Sequence, residues 1–413
     1  MIPAAARERR AAALGASLRR AGGGVRQLPP LGELRGALGP DAWASVTADL
    51  DWVAPPPAAA ATRARRGLTL FDLRRFLECP LQASARVLLP VGDDADAMAE
   101  AEAAIREHEP LDEARAATIP FLRTVLSRHL AAPEQGGGDQ LLVEAYDRAA
   151  ELKRLEGKLP DGVFGQALRE RHLGLLRCWR DGLLQATGGL LSAPAPLWLG
   201  AAPEHRRDVV IRPALAVPFA EGASIALGGR TELLARAADE SRIVLSLASS
   251  TSQDKLERDL LGPFLTHLAL AALEAEGASR TTRAIVIRPE KDGTPSVEER
   301  VFLPITGDAA LAYLGRLASE LLRDVHAYFL PCEGVFYWKD HSDKGETVGV
   351  RESILLLRDD NWTRFASDHG PIPEPREYPV PPEAEARAIV ARRFEPYFDA
   401  FAPRDLPPKK KRR

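Results

Sequence analysis

A chain of 413 residues that is 45% hydrophobic has enough apolar side chains for one large core or two moderate ones. Its formal charge of −3 at pH 7 excludes a uniformly basic surface, so any contact with nucleic acid has to come from local basic patches. The 3 cysteines are far apart and form no Cys-x-x-Cys pair, which favours neither a disulfide framework nor a structural zinc site.

The first 66 residues predict a helical extension that ends in a linker. Two helical stretches, broken by three glycines at 22–24, precede the run PPPAAAA at 55–61, which is a linker by composition. The N-terminus is too charged for a signal peptide, and no apolar run reaches about 18 residues. We therefore expect a cytoplasmic chain without a membrane span. The cations that follow the linker are candidate contacts to DNA: Arg63, Arg65 and Arg66.

Residues 67–195 predict a mainly helical subdomain. Thr69, with Asp72 three residues later, is typical of a helix N-terminus. The helix that it opens has one apolar face, and Arg74 and Arg75 project from the other. These two arginines form either a basic strip that faces DNA or ordinary solvated charges. Further helices are expected from 112, over 140–155 and over about 164–184.

Residues 196–403 predict an α/β core. A strand over 224–227, a tight turn at Gly228 and Gly229, a second strand over 243–247 and a helix over about 252–273 form its centre. Pro263 either kinks that helix or starts it. Other elements are expected as strands over 208–212, 284–288 and 300–303, and as helices over 308–328 and 382–398.

This central arrangement resembles the PD-(D/E)XK nucleases, which have a restriction-endonuclease-like mixed sheet flanked by helices. In that family two carboxylates hold Mg²⁺, and a Lys helps to hold the attacking water and to stabilise charge on the phosphate. On the family pattern Glu232 takes the first acidic position, Ser246 the second, and Ala248 the place of the Lys. The resemblance therefore implies a degenerate site, with Glu232 as a lone exposed carboxylate and with no metal or cofactor.

Further segments resemble the C-terminal region of the RecC family, the gamma subunit of exodeoxyribonuclease V. They are residues 68–80 (LTLFDLRRFLECP), 109–112 (EPLD), 155–165 (LEGKLPDGVFG), 261–268 (LGPFLTHL) and 329–338 (FLPCEGVFYW). Their common order and rough spacing over about 68–340 carry the resemblance. Two features depart from the family: Cys79 stands where many members have His, and the helicase-like domains that precede this region have no counterpart.

The last segment, 404–413, predicts a basic tail. Five cations end it, and such a run either contacts DNA loosely, in a salt-dependent way, or acts as a disordered solubilising tail. They are Lys409, Lys410, Lys411, Arg412 and Arg413.

Two functions from different classes remain open. The RecC resemblance implies a non-catalytic DNA-binding or scaffold subunit of a RecBCD-type helicase–nuclease complex, with RecB-like and RecD-like partners, in double-strand break repair by homologous recombination. The alternative is an active Mg²⁺-dependent DNA exonuclease in which Asp239, Glu240 or Asp254 joins Glu232 in a rearranged site. The strand over 243–248 has no Lys two residues after an acid, which weighs against it. A fragment of a split gene is a third interpretation.

Overall fold

The fold is taken from a computed structural model. The structure describes residues 67–88, 115–131, 138–190, 192–200, 210–219, 222–237, 239–249, 256–274, 280–324, 326–358, 372 and 374–402. These residues belong to one compact unit that begins at Gly67. The predicted N-terminal extension and basic tail, with their candidate DNA contacts Arg63, Arg65, Arg66, Lys409, Lys410, Lys411, Arg412 and Arg413, lie outside the described residues.

The described chain runs from a short strand through five helices to five strands, and then through one helix and two strands to four helices. The helices are α1 (Leu70–Glu78), α2 (Pro80–Leu88), α3 (Arg115–Leu130), α4 (Asp139–Leu155), α5 (Gly162–Thr187), α6 (Leu256–Leu273), α7 (Gly307–Arg323), α8 (Cys332–Asp343), α9 (Val350–Arg358) and α10 (Glu383–Phe398). The strands are β1 (Leu68–Thr69), β2 (Ala195–Leu199), β3 (Val210–Arg212), β4 (Leu215–Pro218), β5 (Ser224–Arg236), β6 (Arg242–Leu247), β7 (Thr282–Pro289) and β8 (Pro295–Phe302). Among the described helices, none combines the length and apolarity needed to cross a membrane.

The strands form one mixed sheet of 8 strands, in the order β3-β2-β5-β6-β7-β8, with β1 and β4 also paired to β5. β5 and β6 are antiparallel, and α6 then crosses over so that β7 runs parallel to β6. β8 returns antiparallel to β7. A parallel pair needs such a crossover connection, whereas the antiparallel pairs need only short turns. The predicted α/β class, a mixed sheet flanked by helices, is confirmed.

β5 is longer than the strand predicted over 224–227. It runs unbroken through Gly228 and Gly229, so the predicted tight turn there is wrong. The residues before this pair bond to β4, and those after it bond to β2. Gly229 has φ +91°, and a Cβ there would lie 2.9 Å from the Cβ of Thr69. The glycines therefore mark the point where the strand changes partners close to the start of α1.

The two faces of the sheet are covered by different helices. α5 lies against β7 and β8 on one face, and α3 and α4 pack on α5. Trp179 of α5 and Leu122 of α3 share a buried core with Leu233 and Ile285 of the sheet. The helices that the sequence predicted as an all-α subdomain therefore have no separate core from the sheet. On the other face α6 lies against β5, β6 and β7, and α1 and α7 pack on α6.

Several element boundaries lie within a few residues of their predicted positions. Thr69 caps α1: its hydroxyl accepts from the backbone N–H of Asp72 at 3.2 Å, and its own N–H donates to the Asp72 carboxylate at 2.9 Å. The predicted cap is confirmed, as are β6, β7 and α6 within a few residues. Pro263 lies inside α6 and does not start it. β8 begins at Pro295, earlier than the predicted strand over 300–303, because its polar first half pairs along the edge of β7.

Candidate functional site

The three positions that the nuclease pattern selects lie side by side on the sheet. Leu233 of β5 pairs with Leu245 of β6, and continuing that antiparallel register by one residue places Glu232 opposite Ser246. Ala248 follows directly after β6. Leu233 and Leu245 enter the core under α5, so by strand alternation Glu232 and Ser246 face α6. The sequence pattern therefore selected residues that the fold does bring together.

Glu232 is held between two arginines. Its Oε1 accepts a hydrogen bond from Arg74 Nη1 at 3.0 Å, and its Oε2 accepts one from Arg123 Nη1 at 2.9 Å. The backbone N–H of Glu232 donates to Thr266 Oγ1 of α6 at 3.0 Å. Only 11% of the Glu232 side chain is exposed. The description of Glu232 as a lone exposed carboxylate is therefore wrong.

The approach of Arg74 to Glu232 depends on a glycine in α6. A Cβ at Gly262 would lie 2.4 Å from Glu232 Oε1 and 3.1 Å from Arg74 Nη1. Arg74 also donates through Nε to Glu78 Oε1 at 2.9 Å, one turn along α1. Its guanidinium is thus shared between two carboxylates. Arg74 matches neither alternative, a basic strip that faces DNA or an ordinary solvated charge, because its guanidinium is bonded to Glu78 and Glu232.

Arg123 binds the second oxygen of the same carboxylate. It lies on α3, and its Nη2 also donates to the carbonyl of Leu247 at 3.4 Å. The chain just beyond β6 is fixed by two further bonds: Trp179 Nε1 donates to the carbonyl of Ala248 at 2.9 Å, and the Ala248 N–H donates to the carbonyl of Ile287 at 2.9 Å. The end of β6 is therefore tied to α3, α5 and β7 at once.

The electrostatics of this site keep Glu232 ionised. Burial alone would raise the pKa of Glu232, but the charges of Arg123, Arg74 and Arg230, together with the hydrogen bond from Arg123, lower it below its ordinary value. Burial likewise acts to lower the pKa of Arg74, and the charges of Glu78 and Glu232 outweigh it and raise that pKa. Both partners therefore carry their charges at neutral pH.

More ion pairs extend this arrangement. Asp259 Oδ2 and Arg288 Nη2 lie 3.1 Å apart, and Glu333 Oε1 and Arg258 Nη1 lie 3.2 Å apart. Burial raises the pKa of Asp259 and of Glu333, although neighbouring arginines act in the opposite direction. We call these groups the ionic cluster; it contains four arginines and four carboxylates. Its members are Arg74, Glu78, Arg123, Glu232, Arg258, Asp259, Arg288 and Glu333.

The ionic cluster does not suit a divalent cation. Mg²⁺ takes its protein ligands from carboxylate oxygens, yet both oxygens of Glu232 accept hydrogen bonds from guanidinium groups. Ser246 and Ala248 add no carboxylate or amine. Among the residues that the structure describes, no group of three or more His, Cys, Asp or Glu side chains is arranged to hold a metal. A metal at Glu232 would have to displace an arginine first.

Arg75 is placed differently from its neighbour Arg74. Its guanidinium carbon lies 4.7 Å from the centre of the Phe71 ring, on the outer side of α1. The two arginines that the sequence grouped as one strip therefore separate, one toward Glu232 and one toward Phe71. Sequence reasoning did not select Arg123, Gly262 or Phe71, since each is an ordinary residue of a predicted helix until the fold brings it to its partner.

No protein-family model matches this sequence, and no curated protein matches it.

Proposed function

We propose that the chain is a non-catalytic, DNA-binding scaffold subunit built on a degenerate PD-(D/E)XK-like core. The observation that carries the proposal is the state of Glu232, whose two carboxylate oxygens are bound by Arg74 and Arg123. Metal-assisted hydrolysis of a phosphodiester needs a cation and a group that activates water. The neighbouring Ser246 and Ala248 supply neither.

The order of elements around Glu232 supports the same proposal. An antiparallel pair, β5 and β6, is followed by the crossover helix α6 and by β7 parallel to β6. The nuclease resemblance implies this strand, strand, helix order. A core of this kind offers a rigid sheet and exposed helices for docking other macromolecules even when its catalytic groups are lost.

The alternative proposal is a Mg²⁺-dependent exonuclease with a rearranged site. Asp239 and Glu240 lie in the connection between β5 and β6, beyond Arg236, and Asp239 accepts from the backbone N–H of Ser241 at 2.9 Å. Arg236 lies four residues beyond Glu232 along the strand, which is about 13 Å at about 3.3 Å per residue. Neither carboxylate is therefore placed to share a cation with Glu232, and Asp254 lies outside the described residues.

The partners and the cellular role follow from the RecC resemblance alone. We propose that the chain works in the cytoplasm with a RecB-like helicase–nuclease and a RecD-like helicase, in double-strand break repair by homologous recombination. Each motor would act on DNA, and this chain would dock the partners and guide a separated strand. Co-expression with RecB-like and RecD-like subunits, followed by purification on a tag of this chain, tests the assembly. Recovery of this chain alone contradicts it.

DNA binding is tested by the fluorescence anisotropy of labelled single-stranded and double-stranded DNA at increasing salt. We expect binding that weakens steeply with salt, because cations that neutralise phosphates release counterions. Replacing the five cations at 409–413 by Gln is expected to reduce that salt dependence. The matched control replaces Lys339 and Lys344, which are paired with Asp343 and Asp340 on α8. Absence of binding at low salt contradicts the proposed function.

A further inference from the structure

The hairpin of α4 and α5 ends in a tip that exposes apolar side chains. The two helices are antiparallel: Asp139 at the start of α4 pairs with Arg177, and Arg154 near its end pairs with Asp161, just before α5. We call residues 151–164 the hairpin tip. Four large apolar side chains lie within one turn of the pair between Arg154 and Asp161, and each is more than half exposed. They are Leu152 (57%), Leu155 (78%), Val163 (81%) and Phe164 (56%).

The backbone of the hairpin tip is held in place by its own packing. Leu159 and Pro160, in the connection between the helices, are buried, and Leu159 belongs to the core that lies against the sheet. A Cβ at Gly165 would overlap the carbonyl oxygen of Pro160, so the connection lies close on the first turn of α5. The exposed side chains therefore stand on a base that is ordered before any partner arrives, which lowers the entropic cost of binding.

The charges of the hairpin tip balance. Residues 151–161 contain three cations and three carboxylates. Lys153 and Lys158 lie 2.9 and 3.3 Å from Glu156, and Arg154 lies 3.1 Å from Glu151. Nucleic acids and anionic membranes are held by a net positive charge, which this segment lacks. Apolar side chains with a polar rim are instead typical of a protein–protein interface.

A second copy of this chain fits the hairpin tip. In a two-fold dimer the same surface meets itself, so its rim has to present both signs of charge equally, as this one does. At roughly 150 Å² for a fully exposed large apolar side chain, the four side chains expose roughly 400 Å² in each copy. Two such surfaces with their charged rims approach the roughly 1,200 Å² of a small specific interface.

We propose that the hairpin tip is the contact between two copies of this chain, with Leu155, Val163 and Phe164 at its centre and the charged side chains of 151–161 facing each other across a two-fold axis. Self-association goes beyond the proposed DNA-binding function, and either can fail without the other.

Sedimentation velocity of the full-length protein at increasing concentration measures the dissociation constant of the dimer. The double variant Leu155→Ser with Phe164→Ser is expected to raise that constant about tenfold or more, because it removes central apolar side chains. The matched control is Leu356→Ser, which removes a leucine that is 53% exposed on α9, and it is expected to leave the constant unchanged. Equal losses in the two variants overturn the proposal. A wild-type protein that stays monomeric also overturns it, and recovery of that monomer on phosphatidylcholine vesicles would assign the tip to a membrane surface instead.

An exchange of charges shows whether the two tips face each other. One variant carries Lys153→Glu and Lys158→Glu, and a second carries Glu151→Lys and Glu156→Lys. Each variant alone is expected to be monomeric, because like charges oppose each other across the axis. An equimolar mixture of the two is expected to form a mixed dimer, because each tip then meets the opposite sign. A mixture that stays monomeric overturns the proposal, as do variants that each dimerise as tightly as wild type.

Discussion

At the scale of single residues, the most informative group is Glu232. Glu232 is a mostly buried carboxylate paired with two guanidinium groups. Removing either arginine would leave uncompensated charge in the folded protein and lower its stability. Arg74, Arg123 and Gly262 are therefore as necessary to this site as the acid. The contacts of Glu232 have a structural role, because they link α1, α3 and α6 to β5.

Gly262 gives a direct test of that packing. Gly262→Ala places a methyl group 2.4 Å from Glu232 Oε1, so the ion pair with Arg74 has to shift. We expect a loss of about 1–3 kcal/mol in the free energy of unfolding, as for other overpacked sites. The matched control is Gly174→Ala on α5, where a Cβ would meet nothing within 4 Å.

Gly174→Ala is expected to stabilise the protein by about 0.4–1 kcal/mol, because alanine restricts the unfolded chain and favours helix. Urea denaturation of both variants measures the two changes. Effects of the same sign and size would contradict the close approach of α1, β5 and α6.

At the scale of elements, two buried histidines join neighbouring segments. The ring of His267 on α6 bonds through Nδ1 with the hydroxyl of Thr282 on β7, and through Nε2 to the carbonyl of Leu303. His326 bonds through Nε2 to the carbonyl of Glu320 in α7. Burial lowers the pKa of each histidine from 6.5 to about 4. Both rings are therefore neutral in the folded protein near pH 6.

These pKa shifts predict a loss of stability in mild acid. Between about pH 6.5 and 4 the unfolded chain binds protons that the folded protein does not, so stability is complete above that window and falls as the pH drops through it. At about 1.4 kcal/mol per pKa unit, each histidine accounts for a loss of roughly 3 kcal/mol.

Urea denaturation at several pH values measures this dependence. His267→Gln should flatten the decline between pH 6.5 and 4, because the variant has no imidazole at this position to take up a proton on unfolding. An unaltered decline in His267→Gln would show that His267 is not kept neutral by burial.

Elements that depend on contacts between residues close in sequence are predicted well. Elements that depend on contacts between distant segments are not. The cap at Thr69 and the apolar face of α1 depend on residues within one turn, so they were predictable. β6 and β7 are buried strands with continuous apolar runs and were also found. The turn predicted at Gly228 and Gly229 is wrong. A glycine pair is typical of a turn, and its position at a change of strand partners depends on the distant strands β1, β2 and β4.

The candidate site also combines predictable positions with contacts that depend on distant parts of the chain. The resemblance to the nuclease pattern selects Glu232, Ser246 and Ala248, and the register of β5 and β6 brings Glu232 and Ser246 together. The role of Arg123 could not be predicted, because it lies 109 residues from Glu232 in sequence and meets it only through the packing of α3. Burial of Glu232 was missed for the same reason.

At the scale of the whole molecule, the sheet separates two helical layers with different roles. α3, α4 and α5 complete the core on one face, and α1, α6 and α7 cover the other. α10 is fastened to that second layer by Arg393, which is fully buried, donates to Glu320 at 2.6 Å and lies over the ring of Phe76 at 4.3 Å. The ionic cluster joins this second layer to the sheet, and Arg123 reaches it from α3 of the first layer.

The central claim is that this fold binds DNA without cutting it. The most direct measurement incubates the purified protein with end-labelled linear single-stranded and double-stranded DNA in Mg²⁺ or Mn²⁺, beside Glu232→Gln and the exposed control Glu156→Gln. Because Arg74 and Arg123 occupy the carboxylate of Glu232, all three proteins are expected to leave both DNA forms intact. Cleavage by wild type and Glu156→Gln that is lost in a folded Glu232→Gln would contradict the account and make this protein a nuclease.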